Sequence, residues 1–294
     1  MVKKYLKSVV ENSIPRKQMT YQTDGCVTVQ HRANPDAKPA SLPKNLGRAN
    51  WPISPEEVLK SFNTRAFKRE QPDNPTLLRQ SIAEALARHE PVSFALYWGK
   101  GLRAALAAPE FACLDYLASM ISRVTQGYKH GAKVTLIFTD THASLNGHSR
   151  DSIRMYFADL TLAARQRTFD VCLLSALIDD AADLCDASGP EPQVPSDDLL
   201  SGLSASAAKW FKGAGTPREG AIRYYQANML EKRVVERAFQ RSIFVTFNSS
   251  KFRVLLPDRL PIFYMFSVQH GVSDKPWFLP GDSSAQQEGH RTGS

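Results

Sequence analysis

The sequence predicts a three-layer, Rossmann-like α/β fold: a mostly parallel sheet with an antiparallel C-terminal strand pair. Three observations lead there. Residues 91–98, 134–138 and 169–174 are short apolar runs without strict alternation, the pattern of strands buried on both faces. Amphipathic helical segments separate them. Strand–helix–strand repetition at this spacing calls for crossovers and a parallel sheet. With 294 residues, 43% of them hydrophobic, the chain can bury a sizeable core.

Taken in order, residues 1–53 are polar and broken by Asn34-Pro35 and Leu42-Pro43, and read as a loosely structured N-terminal arm. Residues 54–280 read as a single α/β catalytic domain, and 281–294 as a disordered tail. Ser54-Pro55-Glu56-Glu57 is a helix start, with a capping hydroxyl, proline in the first turn and acids near the positive helix end. Asn74-Pro75 opens a second helix, on which Leu78, Ile82 and Leu86 recur at helical spacing. The strand at 91–98 ends in Gly99-Lys100-Gly101, a turn resembling a phosphate or carboxylate cradle, although G-x-G by itself is common. Residues 109–128 form an amphipathic helix through Leu114, Leu117, Ile121 and Val124.

The next strand, 134–138, leads into a polar loop, and Ser149 caps the helix after it. Residues 179–195 are acidic and proline-containing, the composition of an exposed connection. Thr216-Pro217 opens the longest helix, reaching to about residue 241, with Arg223, Tyr224, Asn228, Glu231, Lys232 and Glu236 along one side. Solvation is the default fate of such a side. Strands at 243–247 and 262–268, joined by a short connection, are expected to pair antiparallel at the sheet edge.

The net charge of +8 admits nucleic acid, a membrane surface or a small anion as partner. No zinc finger, RNP-like motif or helix-turn-helix is present, and the cations are interleaved with acids, so no nucleic-acid partner is expected. No apolar run is long enough to cross a bilayer, and no apolar segment follows the basic N-terminus; no membrane association and a cytoplasmic location are expected. The four cysteines form no C-x-x-C pair and read as free thiols. The oligomeric state is not encoded in any feature of the chain.

Reactive side chains are densest from Asp140 to Ser149. Asp140 and His142 stand at the carboxyl end of a strand, where open α/β sheets place their ligands, and Asn146-Gly147 turns the chain back. Asp140, His142 and Asn146 are the candidate catalytic residues, Asp140 holding either His142 or a substrate ammonium. Lys100, Lys232 and Arg233 are candidates for binding an anion, and Tyr156 is a candidate substrate contact. An acid or base beside a basic anchor suits carbonyl–amine condensation, in which imidazole moves protons near neutral pH. The spacing of Asp140, His142 and His148 fits no standard zinc pattern, and a site from His142, Asp140 and His270 would be an unusual one. No metal is expected. The chain has no G-x-S-x-G nucleophile elbow.

Three segments carry a family resemblance. The helix before Gly131-Ala132 and the strand ending in Asp140 are the first, Asp151-Ser152-Ile153-Arg154-Met155-Tyr156 the second, and Arg241-Ser242-Ile243 with Lys275-Pro276-Trp277 the third. In these the chain resembles the isonitrile synthases of the pyoverdine/dityrosine biosynthesis family, as a divergent member. Where that family continues Asp-Gly-x-Val-Phe, this chain has Asp140-Thr141-His142-Ala143-Ser144. The resemblance implies a cofactor-free transferase or lyase of secondary-metabolite biosynthesis, condensing an amino-acid amine with the ketone of ribulose 5-phosphate. It carries Asp140 over as a functional residue and adds Lys275 as a substrate contact. Two other readings compete: a transferase using S-adenosylmethionine, with Gly99-Lys100-Gly101 as its glycine loop, and a non-catalytic ligand-binding protein.

Overall fold

The computed structural model describes residues 53–99, 102–103, 105–181 and 194–265, and the backbone of 267–269 and 272–274. The arm at 1–52, Lys100, His270, Lys275 and the tail lie outside the described residues, as does most of the acidic connection. The elements in chain order are α1 (Pro55–Phe62), α2 (Pro75–Arg88), β1 (Val92–Trp98), α3 (Ala108–Gly127), β2 (Ala132–Phe138), α4 (Asp140–Leu145) and α5 (Arg150–Arg165). They continue with β3 (Asp170–Leu173), α6 (Leu174–Asp180), α7 (Asp197–Trp210), α8 (Pro217–Ala238), β4 (Ile243–Thr246), a 3-10 helix (Ser250–Leu255) and β5 (Ile262–Tyr264).

Helix starts lie where capping chemistry puts them. Ser54 and Thr216 each accept from the backbone N–H three residues on while Glu57 and Glu219 return the bond, forming capping boxes. Asn74 and Ser149 cap α2 and α5 in the same forward sense. Five strands form one sheet in the order β3-β2-β1-β4-β5, all parallel.

Strand alternation divides the core. Phe94, Leu96, Trp98, Leu136 and Phe138 face a cluster built with α1, α2, α3 and α5. Ala95, Ile137, Phe244 and Tyr264 face a second cluster with α6 and α8. Helix α7 packs on α8 through Leu200, Leu203, Ala221 and Tyr225.

The expected antiparallel edge is corrected by the observed ladder. Phe244 pairs with Ile262, and Thr246 with Tyr264, in parallel. Residues 247–261 fold into a 3-10 helix and a loop that carry the chain back to the starting end of the sheet, so β5 runs with β4 rather than against it. A separate two-stranded antiparallel ladder joins Ser267–Gln269 to Val272–Asp274, outside the five-stranded sheet. The outer side of β5 is covered: the Arg69 N–H donates to Tyr264 O at 2.8 Å, and Lys68 bridges Met265.

Chain order reverses between β1 and β4, so the topological switch point lies at the carboxyl ends of those two strands, with β2 beside them. Trp98 is level with Phe138, and the next residue, Thr139, binds both strand ends together. Its N–H donates to Trp98 O at 2.9 Å, and its hydroxyl donates to Trp98 O and Gly99 O.

Candidate active site

The stretch after β2 was expected as a polar loop. It forms instead the short helix α4, whose Asp140, Thr141, His142 and Ala143 are all buried. Their polar groups therefore need partners within the protein. Helix α8 supplies those of Thr141 and His142 through Glu231. The half-buried Tyr224 and the buried Asn228 and Glu231 recur at i, i+4 and i+7 on one face of the helix.

Glu231 has no exposed surface. Its carboxylate accepts from the Thr141 hydroxyl at 2.8 Å and is hydrogen-bonded to His142 Nε2. A buried carboxylate is tolerated when it is paired and hydrogen-bonded in this way. The Tyr224 ring stands edge-on to the His142 ring, centroids 4.8 Å apart, and Tyr97 lies on another side at 6.2 Å. Burial, reinforced by the nearby Glu231 charge, holds the Tyr97 and Tyr224 phenols well above the usual range, so both keep their protons at neutral pH.

Tyr224 also separates this cluster from a cleft. The cleft, about 30 Å³, is lined by Asn146, Leu203, Ser206, Ala207, Phe211, Gly220, Ala221 and Tyr224. Its floor is tightly built: a Cβ on Gly220 would lie 2.9 Å from the Phe211 ring, and one on Gly147 would lie 2.7 Å from the Lys212 carbonyl. Lys212 N–H donates to Asn146 O at 2.9 Å. Arg223 spans the rim, its guanidinium 5.3 Å from the centre of the Phe211 ring and donating to Ala214 O.

The sequence-derived residues are distributed unevenly around this centre. His142 lies within it, and Asn146 lines the cleft. Asp140 is 5% exposed and accepts from the Ser175 N–H at 3.1 Å, tying the end of β2 to the start of α6. Burial raises its carboxyl above the usual range despite that bond. The acid bonded to His142 is thus Glu231; of the two roles expected of Asp140, holding His142 or a substrate ammonium, the first falls to Glu231.

Tyr156 lies across the sheet, buried, receiving a hydrogen bond from Trp98 Nε1 at 3.3 Å and donating to Glu110, which also pairs with Arg103. Lys232 donates to Val254 O and to Asp258 at 2.8 Å. Arg233 is exposed, two residues and roughly 200° round the helix from Glu231. His148 sits at the same sheet edge, its Nε2 accepting from the Leu102 N–H at 3.4 Å. Among the described residues, no group of three or more His, Cys, Asp and Glu is arranged to hold a metal ion. None of the described helices is long and apolar enough to cross a membrane.

These features define a doubly wound parallel α/β protein with a buried acid–imidazole pair near the carboxyl edge of its sheet. The sequence matches no family profile and no curated protein. Among solved structures, the chain is similar to the crystal structure of the PvcA protein from Pseudomonas aeruginosa. The two share 17% identity at a TM-score of 0.55, over 76% of this chain and 87% of the other. At that identity the likeness is one of fold.

Proposed function

We propose that this protein is an isonitrile-synthase-like enzyme that condenses an amino-acid amine with the ketone of a phosphorylated ketose such as ribulose 5-phosphate. The observation that carries the reading is the His142–Glu231 pair, shut away from water beside a cleft at the carboxyl edge of the sheet. The sequence resemblance to isonitrile synthases and the fold shared with PvcA support it.

Attack of the amine on the ketone carbon requires that nitrogen lose a proton. Loss of water from the resulting carbinolamine requires that oxygen gain one. A single imidazole serves both steps, because it accepts and donates near neutral pH. With Nε2 held by Glu231, Nδ1 is the nitrogen that exchanges protons with the substrate. Glu231 fixes the ring. Displacement of the Tyr224 side chain opens the cleft onto His142. Lys212 and Arg223 at the rim are the cations a sugar phosphate meets there, in place of Lys232 and Arg233.

The competing transferase reading places Asp140 on a nucleoside ribose, a role at odds with a carboxylate already held by the Ser175 N–H. The test is incubation of the purified protein with ribulose 5-phosphate and each common amino acid, with mass-spectrometric detection of the condensed product. Product with the wild type and none with His142→Asn is the expected result. No product from any amino acid, together with thermal stabilisation by S-adenosylmethionine, would overturn the proposal.

A further inference from the structure

Two polar atoms near the acid–imidazole pair are buried without a hydrogen-bond partner: Asn228 Oδ1 and the Tyr97 hydroxyl. Asn228 is 1% exposed, on the same face of α8 as Tyr224 and Glu231 and one turn from each. Tyr97 is the penultimate residue of β1, beside the switch point; the residue is half-buried and its hydroxyl is closed off from solvent, within range of the Glu231 charge. A buried carbonyl oxygen or phenol left unpaired costs free energy comparable to a lost hydrogen bond. They lie on two elements that both border His142: the Tyr97 ring is 6.2 Å from the His142 ring, and Asn228 shares a helix face with Tyr224 and Glu231. The His142–Glu231–Thr141 contacts beside them are complete. The unmet demand is for an N–H to satisfy Asn228 Oδ1 and for an oxygen or nitrogen to receive the Tyr97 proton.

We infer that Asn228 and Tyr97 form the receptor for the reacting amine, Asn228 Oδ1 accepting an amine N–H and the Tyr97 hydroxyl donating to the oxygen that leaves the adjoining carbon. The inference rests on the condensation proposed above and names the groups that position its amine. In chemical terms, the neutral amine nitrogen bonds to the ketone carbon and passes one proton by way of His142 to the alkoxide, giving the carbinolamine. The nitrogen's second proton then passes by way of His142 to the carbinolamine hydroxyl, hydrogen-bonded by Tyr97, which departs as water and leaves the C=N bond. Nothing is oxidised or reduced. The same arrangement disfavours ligands that bring no hydrogen-bond donor to Asn228 Oδ1, because they leave it buried and unpaired.

The test is titration calorimetry of the full-length protein with each common amino acid and with the corresponding carboxylic acids that carry hydrogen in place of the amine, on wild type, Asn228→Leu and Tyr97→Phe. Leucine fills the space of asparagine without its polar atoms, and phenylalanine lacks only the hydroxyl. Both variants are expected to fold with a melting temperature equal to or above that of wild type, since each removes an unpaired buried group. Wild type is expected to prefer the amino acid over its deaminated counterpart, and Asn228→Leu to weaken amine binding on the order of tenfold or more and erase that preference. Tyr97→Phe is expected to bind normally and lose turnover. Wild type that binds no amino acid overturns the condensation reading itself. Wild type that binds amino acids with the preference intact in Asn228→Leu overturns this inference alone. So does a loss of stability in both variants with ligand binding unchanged, the mark of groups satisfied by structural water.

Discussion

Replacing Glu231 separates the two duties the site gives it. The carboxylate satisfies two buried donors, the Thr141 hydroxyl and the His142 ring, and has no exposed surface. In Glu231→Gln one oxygen remains, and the new amide group can donate to the hydroxyl or to the other imidazole tautomer. Every group keeps a partner, so stability should change by no more than about 1–2 kcal/mol. The imidazole, however, loses its anionic support and its orienting acceptor. Turnover should fall by roughly 10²–10⁴, the usual contribution of a positioned acid–base group. Glu231→Ala removes both acceptors and leaves a cavity; breaking a buried pair this way costs about 3–5 kcal/mol. For a domain of this size that corresponds to a melting point lower by roughly 6–20 °C. Scanning calorimetry and product formation by mass spectrometry measure the two effects separately. Wild-type turnover in the glutamine variant would refute the catalytic pair, and wild-type stability in the alanine variant would refute its burial.

Four further outcomes follow from the same geometry. Asp140→Asn keeps an oxygen to accept from the Ser175 N–H and should equal or exceed wild type in stability at pH 7. The folded-state pKa of Asp140 lies above its unfolded value, so its stabilising effect is complete below the unfolded pKa and is lost as pH rises through the folded one; the gap between the two proteins in urea midpoint should close on acidification. Tyr156→Phe should cost about 1 kcal/mol, the value of a buried hydroxyl bonded to Trp98 and Glu110, with KM unchanged in steady-state assays. Lys232→Met should leave turnover intact and lower stability by at most about 1 kcal/mol, read from denaturant melts, because Asp258 is largely exposed. Gly147→Ala should destabilise by about 1–3 kcal/mol in the same melts, as φ is +84° there and the added methyl meets the Lys212 backbone.

Much of the scaffold could be read directly from local signals. Ser54, Asn74, Ser149 and Thr216 announced four helices because a cap is a short-range bond between a side chain and the backbone a few residues on. The runs ending at Trp98 and Phe138 announced strands because burial on both faces leaves a continuous apolar signature. The direction of β5 was illegible, since a ladder can form either way and residues 247–261 carry no pattern that fixes where the chain returns. Helix α7 left little trace because Gly202, Ser204, Ala205, Ser206 and Ala207 blur its periodicity, and its buried contacts come from Leu200 and Leu203. In the site, His142 was prominent through local density, whereas its partner Glu231 sits among surface-like charges on a distant helix. A lone acid between Leu230 and Lys232 is indistinguishable from a solvated one until the helix is docked.

The parallel course of β4 against β1 has a consequence for biosynthesis. Phe94 finds its neighbour at Ile243, so the sheet stays incomplete until late in translation. A nascent chain that has released β1, α3, β2 and β3 already holds His142, while α8 and its carboxylate are still being made. The acid–imidazole pair therefore forms only once α8 has been made, and a chain truncated before residue 231 should be inert however well its first half folds.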